Sequence, residues 1–463
     1  MSRKIWTLAL TSVAFFMVNL DALVVITALP AIHKELGGSI TELEWTMNAF
    51  TLTYAAGIIT AAGLGDRAGR RLIFVVGLAV FTLSSIACAV SPSASVLIAA
   101  RAVQGLGAAM VMPLSLTILT SAFGPERRAT IVGLWGGIGG LAVAAGPLVG
   151  GAITQGVSWH WIFWVNVPIG IAAVLLSLRQ LPESKGPATR LDPVAAALVG
   201  LGAMLVVWGL IRAGDEGWAS GATVGTLTSG GLLLAGFVAW ELRVADPMLP
   251  MRFFLNRSFS AGSATGFFMS GTIAAAAFLV AQFMQFAQGY SPFETGLRVL
   301  PWTATPLFIA PAAGLIADRI GVRPVMALGM LLQGIGLVWF ASVATIGVDY
   351  ILLVPPLVLA GVGVSMALPV APTAVLSAVK PKEMGKASGV NSTMQRLGAT
   401  FAIALAAAVF AANGHIGTPA SFAGGFHPAL LAVASLSLVG AVTALGVQPR
   451  RAKVVAQPMM EAA

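Results

Sequence analysis

The sequence predicts an all-α polytopic membrane protein of about fourteen transmembrane helices, built as two six-helix bundles with two extra helices between them. Three observations carry that expectation. First, 57% of the 463 residues are hydrophobic and only 9% are charged, with a mean hydropathy of +0.91; ordinary soluble domains carry about 25% charged residues to cover a water-facing surface. Second, the apolar residues fall into runs of roughly 18 to 29, long enough for a helix to cross the hydrocarbon core. Third, one polar hairpin is written twice between such runs. It reads Gly63-Leu64-Gly65-Asp66-Arg67-Ala68-Gly69-Arg70-Arg71 and again Gly314-Leu315-Ile316-Ala317-Asp318-Arg319-Ile320-Gly321-Val322-Arg323, a repetition that points to two related halves.

The elements follow in order. Apolar runs at 6–32, 44–62, 72–90, 95–120, 130–153 and 161–180 make the first six helices. The first run is too long for a secretory signal, holds Asp21 in its middle and has no clear small-residue cleavage site, so it is expected to stay as helix one. Trp45 and Asn48 belong to run two, Arg101 and Gln104 to run four, and Gly146, Pro147 and Gly150 to run five. Small residues in that pattern give a smooth helix face for close packing. Breaks at 181–192 and 241–257 bracket two runs, 193–213 and 222–241, that belong to neither repeat. The last six runs are 259–287, 299–316, 324–343, 350–377, 387–412 and 428–447, the first of them rich in Phe and Met from Phe267 to Phe286 and the fifth carrying Arg396. The expected organisation is a first bundle over 1–180, two extra helices with their linkers over 181–257, a second bundle over 258–449 and a cytoplasmic tail over 450–463.

A formal charge of +9 raises the question of nucleic acid, but the basic residues lie in loops and not on a stripe. Most of the 26 Lys and Arg fall on one side of the expected topology, and the outside segments hold only Lys34, Arg212 and Arg298. That asymmetry places both termini in the cytoplasm and the chain in the cell inner (plasma) membrane, with the lipid bilayer as its partner and no nucleic acid. The single Cys88 rules out an intrachain disulfide and leaves the compartment undetermined.

Only Asp21, Arg101 and Arg396 place formal charge well inside the apolar runs. A charge at the bilayer centre costs at least about 2.5–3.5 kcal/mol, so such residues are functional candidates by default. Burial favours a neutral carboxylic acid and a nearby guanidinium favours the carboxylate, so Asp21 beside Arg101 can load and release a proton as conformation changes. The other reading is a permanent pair that pins helix one to helix four. For Arg396, a contact to substrate or gate stands beside simple snorkelling to the interface. Trp45, Asn48, Gln104 and Arg396 are the candidates for a substrate cavity. In the repeated hairpins, Asp66, Arg67, Arg70, Asp318 and Arg319 can pair across the cytoplasmic face and hold it closed, with positive-inside anchoring as the bland alternative.

Taken together, these segments resemble the major facilitator superfamily, and within it the fourteen-helix drug:proton antiporters. The resemblance rests on the Asp66–Arg71 hairpin, on Leu20-Asp21 to Ala28-Leu29-Pro30, on Arg101-Ala102-Val103-Gln104-Gly105-Leu106-Gly107, on Gly146-Pro147-Leu148-Val149-Gly150-Gly151, and on Trp161-Ile162-Phe163-Trp164-Val165-Asn166-Val167-Pro168-Ile169-Gly170. Ala62, His160 and Ala142 depart from the family's pattern. The resemblance implies a major facilitator fold and a proton-coupled exporter of drugs or other small apolar or amphipathic compounds, working by alternating access, with Asp21 and Arg101 in coupling and Gly146, Pro147 and Gly150 in the conformational switch. A proton-coupled exporter or symporter of one metabolite or nutrient is the alternative, and the resemblance leaves room for an accessory periplasmic adaptor. No cofactor is expected, the proton gradient supplying the energy. The sequence has no zinc-protease motif, no paired intramembrane carboxylates and no nucleotide-binding glycine loop, so no enzyme is expected. It also lacks an acid inside the last six runs, which argues against a specialist for cationic drugs.

Overall fold

The computed structural model describes residues 3–37, 40–123, 128–185, 192–244, 247, 249–379, 384–415 and 417–449; the expected tail over 450–463 lies outside them. Among the described residues the secondary structure is helical, with no strand. The first half comprises α1 (Arg3–Leu36), α2 (Ile40–Ala68), α3 (Arg70–Ala89), α4 (Ala94–Ala122), α5 (Arg128–Gly156) and a rod formed by α6 (Trp161–Trp164) and α7 (Asn166–Gln180). A hairpin of α8 (Pro193–Glu216) and α9 (Gly221–Glu241) follows. The second half comprises α10 (Arg257–Gln282), which runs on through a π-turn at Phe283–Ala287, and the stepped rod α11 (Pro292–Arg298), α12 (Leu300–Thr303) and α13 (Thr305–Ile320). Then come α14 (Val322–Val343), α15 (Tyr350–Ala367), α16 (Val370–Leu376), α17 (Met384–Asn413) and α18 (Pro419–Ala444).

The polar residues between runs start the helices. Ser93, Asp192, Ser220, Asn256 and Thr418 each accept a hydrogen bond from a backbone N–H of the first turn of α4, α8, α9, α10 and α18, satisfying donors that have no partner inside the helix. At α11, Ser291 and Glu294 form a reciprocal capping box. The backbone N–H of Ser291 bonding to the Glu294 carboxylate is the main cause that holds that acid below its usual range.

Ten helical segments among the described residues are long and apolar enough to cross a membrane: α1, α3, α4, α6–α7, α9, α10, α14, α15–α16, α17 and α18. The other four expected runs are helical as α2, α5, α8 and the α11–α13 rod, without meeting that measure over their described residues.

Within the first half, α2 and α3 pack on α4, α1 on α5, and α3 on α7; within the second, α10 packs on α17 and α18, and α14 on α15 and α18. The α8–α9 hairpin leans through α8 on both α2 and α17, so it covers a seam between the halves. Close approach inside the hairpin depends on glycine: a Cβ on Gly230 would stand 2.8 Å from the Val206 nitrogen, and one on Gly202 3.0 Å from the Leu234 side chain. The Phe and Met residues of α10 lie mostly in the core of the second half. Met269, Phe278, Phe283 and Met284 are fully buried, and Phe283 stacks on Phe426 of α18 with ring centres 4.6 Å apart.

Candidate functional site

The four elements that meet at Asp21 build one buried polar cluster inside the first half. Asp21 on α1 is 1% exposed and Arg101 on α4 is 1% exposed. Arg101 Nη1 donates to Asp21 Oδ2 at 2.5 Å and to Gln104 Oε1 at 2.6 Å. Gln104 Nε2 donates to Asp21 Oδ1 at 2.9 Å and to Ser85 Oγ of α3 at 2.8 Å, and Asn166 Nδ2, at the start of α7, donates to Asp21 Oδ1 at 2.7 Å. Arg101 also donates through Nε to the Thr46 carbonyl at 3.2 Å and lies over the Phe50 ring, 4.2 Å from its centre. Each bond that reaches Asp21 suits a carboxylate that accepts and does not donate. A proton arriving on Asp21 removes the charge that holds Arg101 and disturbs contacts shared by α1, α3, α4 and α7.

One turn beyond Asp21, α1 serves as a bed for the glycines of α5. A Cβ on Gly146 would stand 2.6 Å from the Leu23 Cβ, and one on Gly150 would stand 2.5 Å from Thr27 Oγ1 and 2.7 Å from the Val24 carbonyl. The other face of α5 meets the second half. Gly151 packs against the Pro292 carbonyl and, at 2.9 Å for an added Cβ, the Phe293 Cα; a Cβ on Gly296 of α11 would meet the Pro147 carbonyl at 2.5 Å. Phe293 N donates to Gln155 Oε1 at 3.2 Å, and Gln285 Nε2 donates to the Thr27 carbonyl at 3.1 Å. The Gly146–Gly151 segment is therefore a two-sided spacer between α1 and the other half. All these cross-half contacts lie at the end of the molecule opposite the Asp66 hairpin.

At the hairpin end, the repeated motif has a backbone reason. Gly69 and Gly321, the glycines of both D-R-x-G copies, have φ of +127° and +93°, conformations that side chains disfavour. Asp66 Oδ1 accepts from Arg70 Nε at 2.8 Å, and Arg70 Nη1 donates to Ser121 Oγ of α4 at 3.1 Å. Glu183, just past α7, accepts from the backbone N–H groups of Arg71 at 2.9 Å and Leu72 at 3.2 Å, an anion at a helix N-terminus. In this conformation these contacts bind the hairpin to its own half. Arg67 and Arg319 are exposed, and the Asp318 side chain lies outside the described residues.

The expected substrate residues separate in space. Gln104 is wholly buried and belongs to the Asp21 cluster. Asn48 is wholly buried within α2. Trp45 packs with Val206, Leu227 and Phe401 around Ala404, in the seam under the α8–α9 hairpin. Arg396 reaches across from α17 to Tyr54 of α2, its guanidinium carbon 4.3 Å from the ring centre and Nη2 3.5 Å from the hydroxyl. The roles of Asn166, Ser85, Glu183 and Tyr54 are missing from the sequence reading. Asn166 at least lies within a motif that the sequence singles out; the other three carry no local signal.

Two helical halves packed at one end, with an ion pair sealed inside one of them, define a multi-pass membrane protein of the transporter class. The model of the Major Facilitator Superfamily matches residues 11–290 and again 262–460, and the chain belongs to that superfamily. It is 33% identical over 412 residues to the tetracenomycin C resistance and export protein of Streptomyces glaucescens, which spans 88% of this chain and 76% of that one. It is 34% identical over 416 residues to the multidrug resistance protein Stp of Mycobacterium tuberculosis, again across 88% of this chain and 76% of the relative. A crystal structure of a POT family transporter in complex with a thioalcohol-conjugated peptide matches with a TM-score of 0.72 over 94% of each chain at 14% identity, a likeness of fold.

Proposed function

We propose that this protein is a proton-coupled exporter of small apolar or amphipathic compounds, with fourteen spans, both termini cytoplasmic and the inner membrane as its site. The kinship with resistance and export proteins supports the substrate class and direction. The observation that carries the coupling is the sealed cluster of Asp21, Arg101, Gln104 and Asn166 beside the α5 glycines. Asp21 is the proton carrier, Arg101 its counter-charge, and Gln104 and Asn166 hold the carboxylate in place. Protonation frees Arg101, α1 shifts against α5, and α5 carries the shift to its contact with α11. A ligand moves a conformational equilibrium only by favouring one state over the other, and here the proton favours the state in which the pair is open. No bound cofactor and no catalytic step enter this cycle.

The test is transport in everted membrane vesicles. An inside-acid gradient should drive a fluorescent amphipathic substrate into the vesicles, and Asp21→Asn should abolish that uptake in protein that still folds, as judged by expression and thermal melting. Movement of substrate together with protons would instead make the protein a symporter. Wild-type rates in folded Asp21→Asn would leave Asp21 as a structural partner of Arg101.

A further inference from the structure

Resting on the exporter reading above, we infer that Arg396 is a specificity-determining residue and that the cargo it selects is a singly charged aromatic anion. Of the three formal charges inside the membrane-spanning helices, Asp21 and Arg101 neutralise each other. Arg396 is left over: among the described residues no carboxylate pairs with it, and its side-chain contacts are the Tyr54 ring and hydroxyl. Its side chain is half-buried. It stands roughly 18 Å along α17 at 1.5 Å per residue, and Tyr54 occupies the middle of α2.

A guanidinium has five N–H donors in a fixed fork. One reaches Tyr54 at 3.5 Å, the limit of a hydrogen bond, and the others make no hydrogen bond among the described residues. A turn earlier on the same face, the Thr393 hydroxyl is buried without a hydrogen-bond partner. Thr393 also lines a small apolar gap between α2, α8 and α17, with Leu52, Ala56 and Leu397. A free fork and an aromatic ring meet at a seam between the halves, where alternating access opens and closes the protein, with the unsatisfied hydroxyl one turn away and the apolar gap on the α8 side of the same seam. The complementary ligand is a flat apolar body with one anionic group of two or three oxygens, which a guanidinium binds with two parallel bonds. A cationic cargo meets repulsion from Arg396, and the apolar runs of the second half offer it no acid.

The probes are three naphthalenes of similar shape: 2-naphthalenesulfonate, 2-naphthalenesulfonamide and (2-naphthylmethyl)trimethylammonium, whose charges do not change across the pH gradient. With the purified full chain in proteoliposomes, the sulfonate should show the highest kcat/KM. Arg396→Gln should raise its KM at least tenfold and change that of the sulfonamide less than twofold, and Arg396→Lys should keep part of the preference. A wild-type preference for the ammonium probe, or an equal loss for all three probes in Arg396→Gln, would overturn the inference, the second outcome making Arg396 a latch to Tyr54. Failure of the exporter reading looks different: the pH gradient drives none of the probes, while sulfonate binding by fluorescence still depends on Arg396.

Discussion

Arg101 does at one position what no other side chain can do. It donates to Asp21, to Gln104 and to the Thr46 carbonyl while lying over the Phe50 ring, and it does so at 1% exposure. Removing one partner of a buried pair leaves the other charge unmatched, at a cost of about 3–5 kcal/mol, whereas replacing both can be nearly neutral. Arg101→Gln alone should therefore lower the thermal-melting midpoint more than Asp21→Asn and Arg101→Gln together. The measurement is a double-mutant cycle on detergent-solubilised protein. If the losses simply add, the two residues are not energetically coupled, and the 2.5 Å contact is geometry without consequence.

At the scale of elements, α5 matters because it has no side chains where it most needs closeness. Its Gly146 and Gly150 face α1, and its Gly151 faces Pro292 and Phe293 of α11. Gly151→Val should wedge α5 from α11 and loosen the end of the molecule where the halves meet. With Cys88 replaced by Ala and a single cysteine at Phe293, the Gly151→Val protein should react with an impermeant maleimide several-fold faster than its Gly151 parent; equal rates would mean that the contact is not a gate. The glycine-proline segment was legible in the sequence as a packing face, but its two-sidedness was not, because which helix lies on each face is a tertiary fact. The same division runs through the site. Asp21 and Arg101 stood out because charge inside an apolar run is expensive. Asn166, Ser85 and Tyr54 are polar groups of a kind that membrane helices carry freely, and only contacts spanning many residues, 145 from Asp21 to Asn166 and 342 from Tyr54 to Arg396, give them a role. Trp45 shows the opposite difficulty, since a large ring suits a ligand cavity and a helix–helix seam equally well, and the structure places it against Val206, Leu227 and Phe401.

For the whole molecule, the fold determines which loops share a side, and charge determines which side that is. Gly69, Glu183 and Gly321 lie at one end of the helical rods; Ser93, Gly217 and Ser421 lie at the other, as the alternation of α1 to α18 requires. The hairpin end collects Arg67, Arg70, Arg71, Arg319 and Arg323, and Lys and Arg near helix ends stay on the cytoplasmic side. In the proposed orientation the contacts between halves through α5 and α11 close the outer end, and the proposed coupling runs from Asp21 to that closure through α1. The prediction is a labelling pattern in intact cells. In a Cys88→Ala background, single cysteines at Ser93, Gly217 and Ser421 should react with an impermeant maleimide added outside, and one at Ser184 should react only after the membrane is permeabilised. Labelling of Ser184 in intact cells, with protection of Ser93, would turn the protein over in the membrane. The end closed in this structure would then face the cytoplasm, and the same proton-driven cycle would import its cargo.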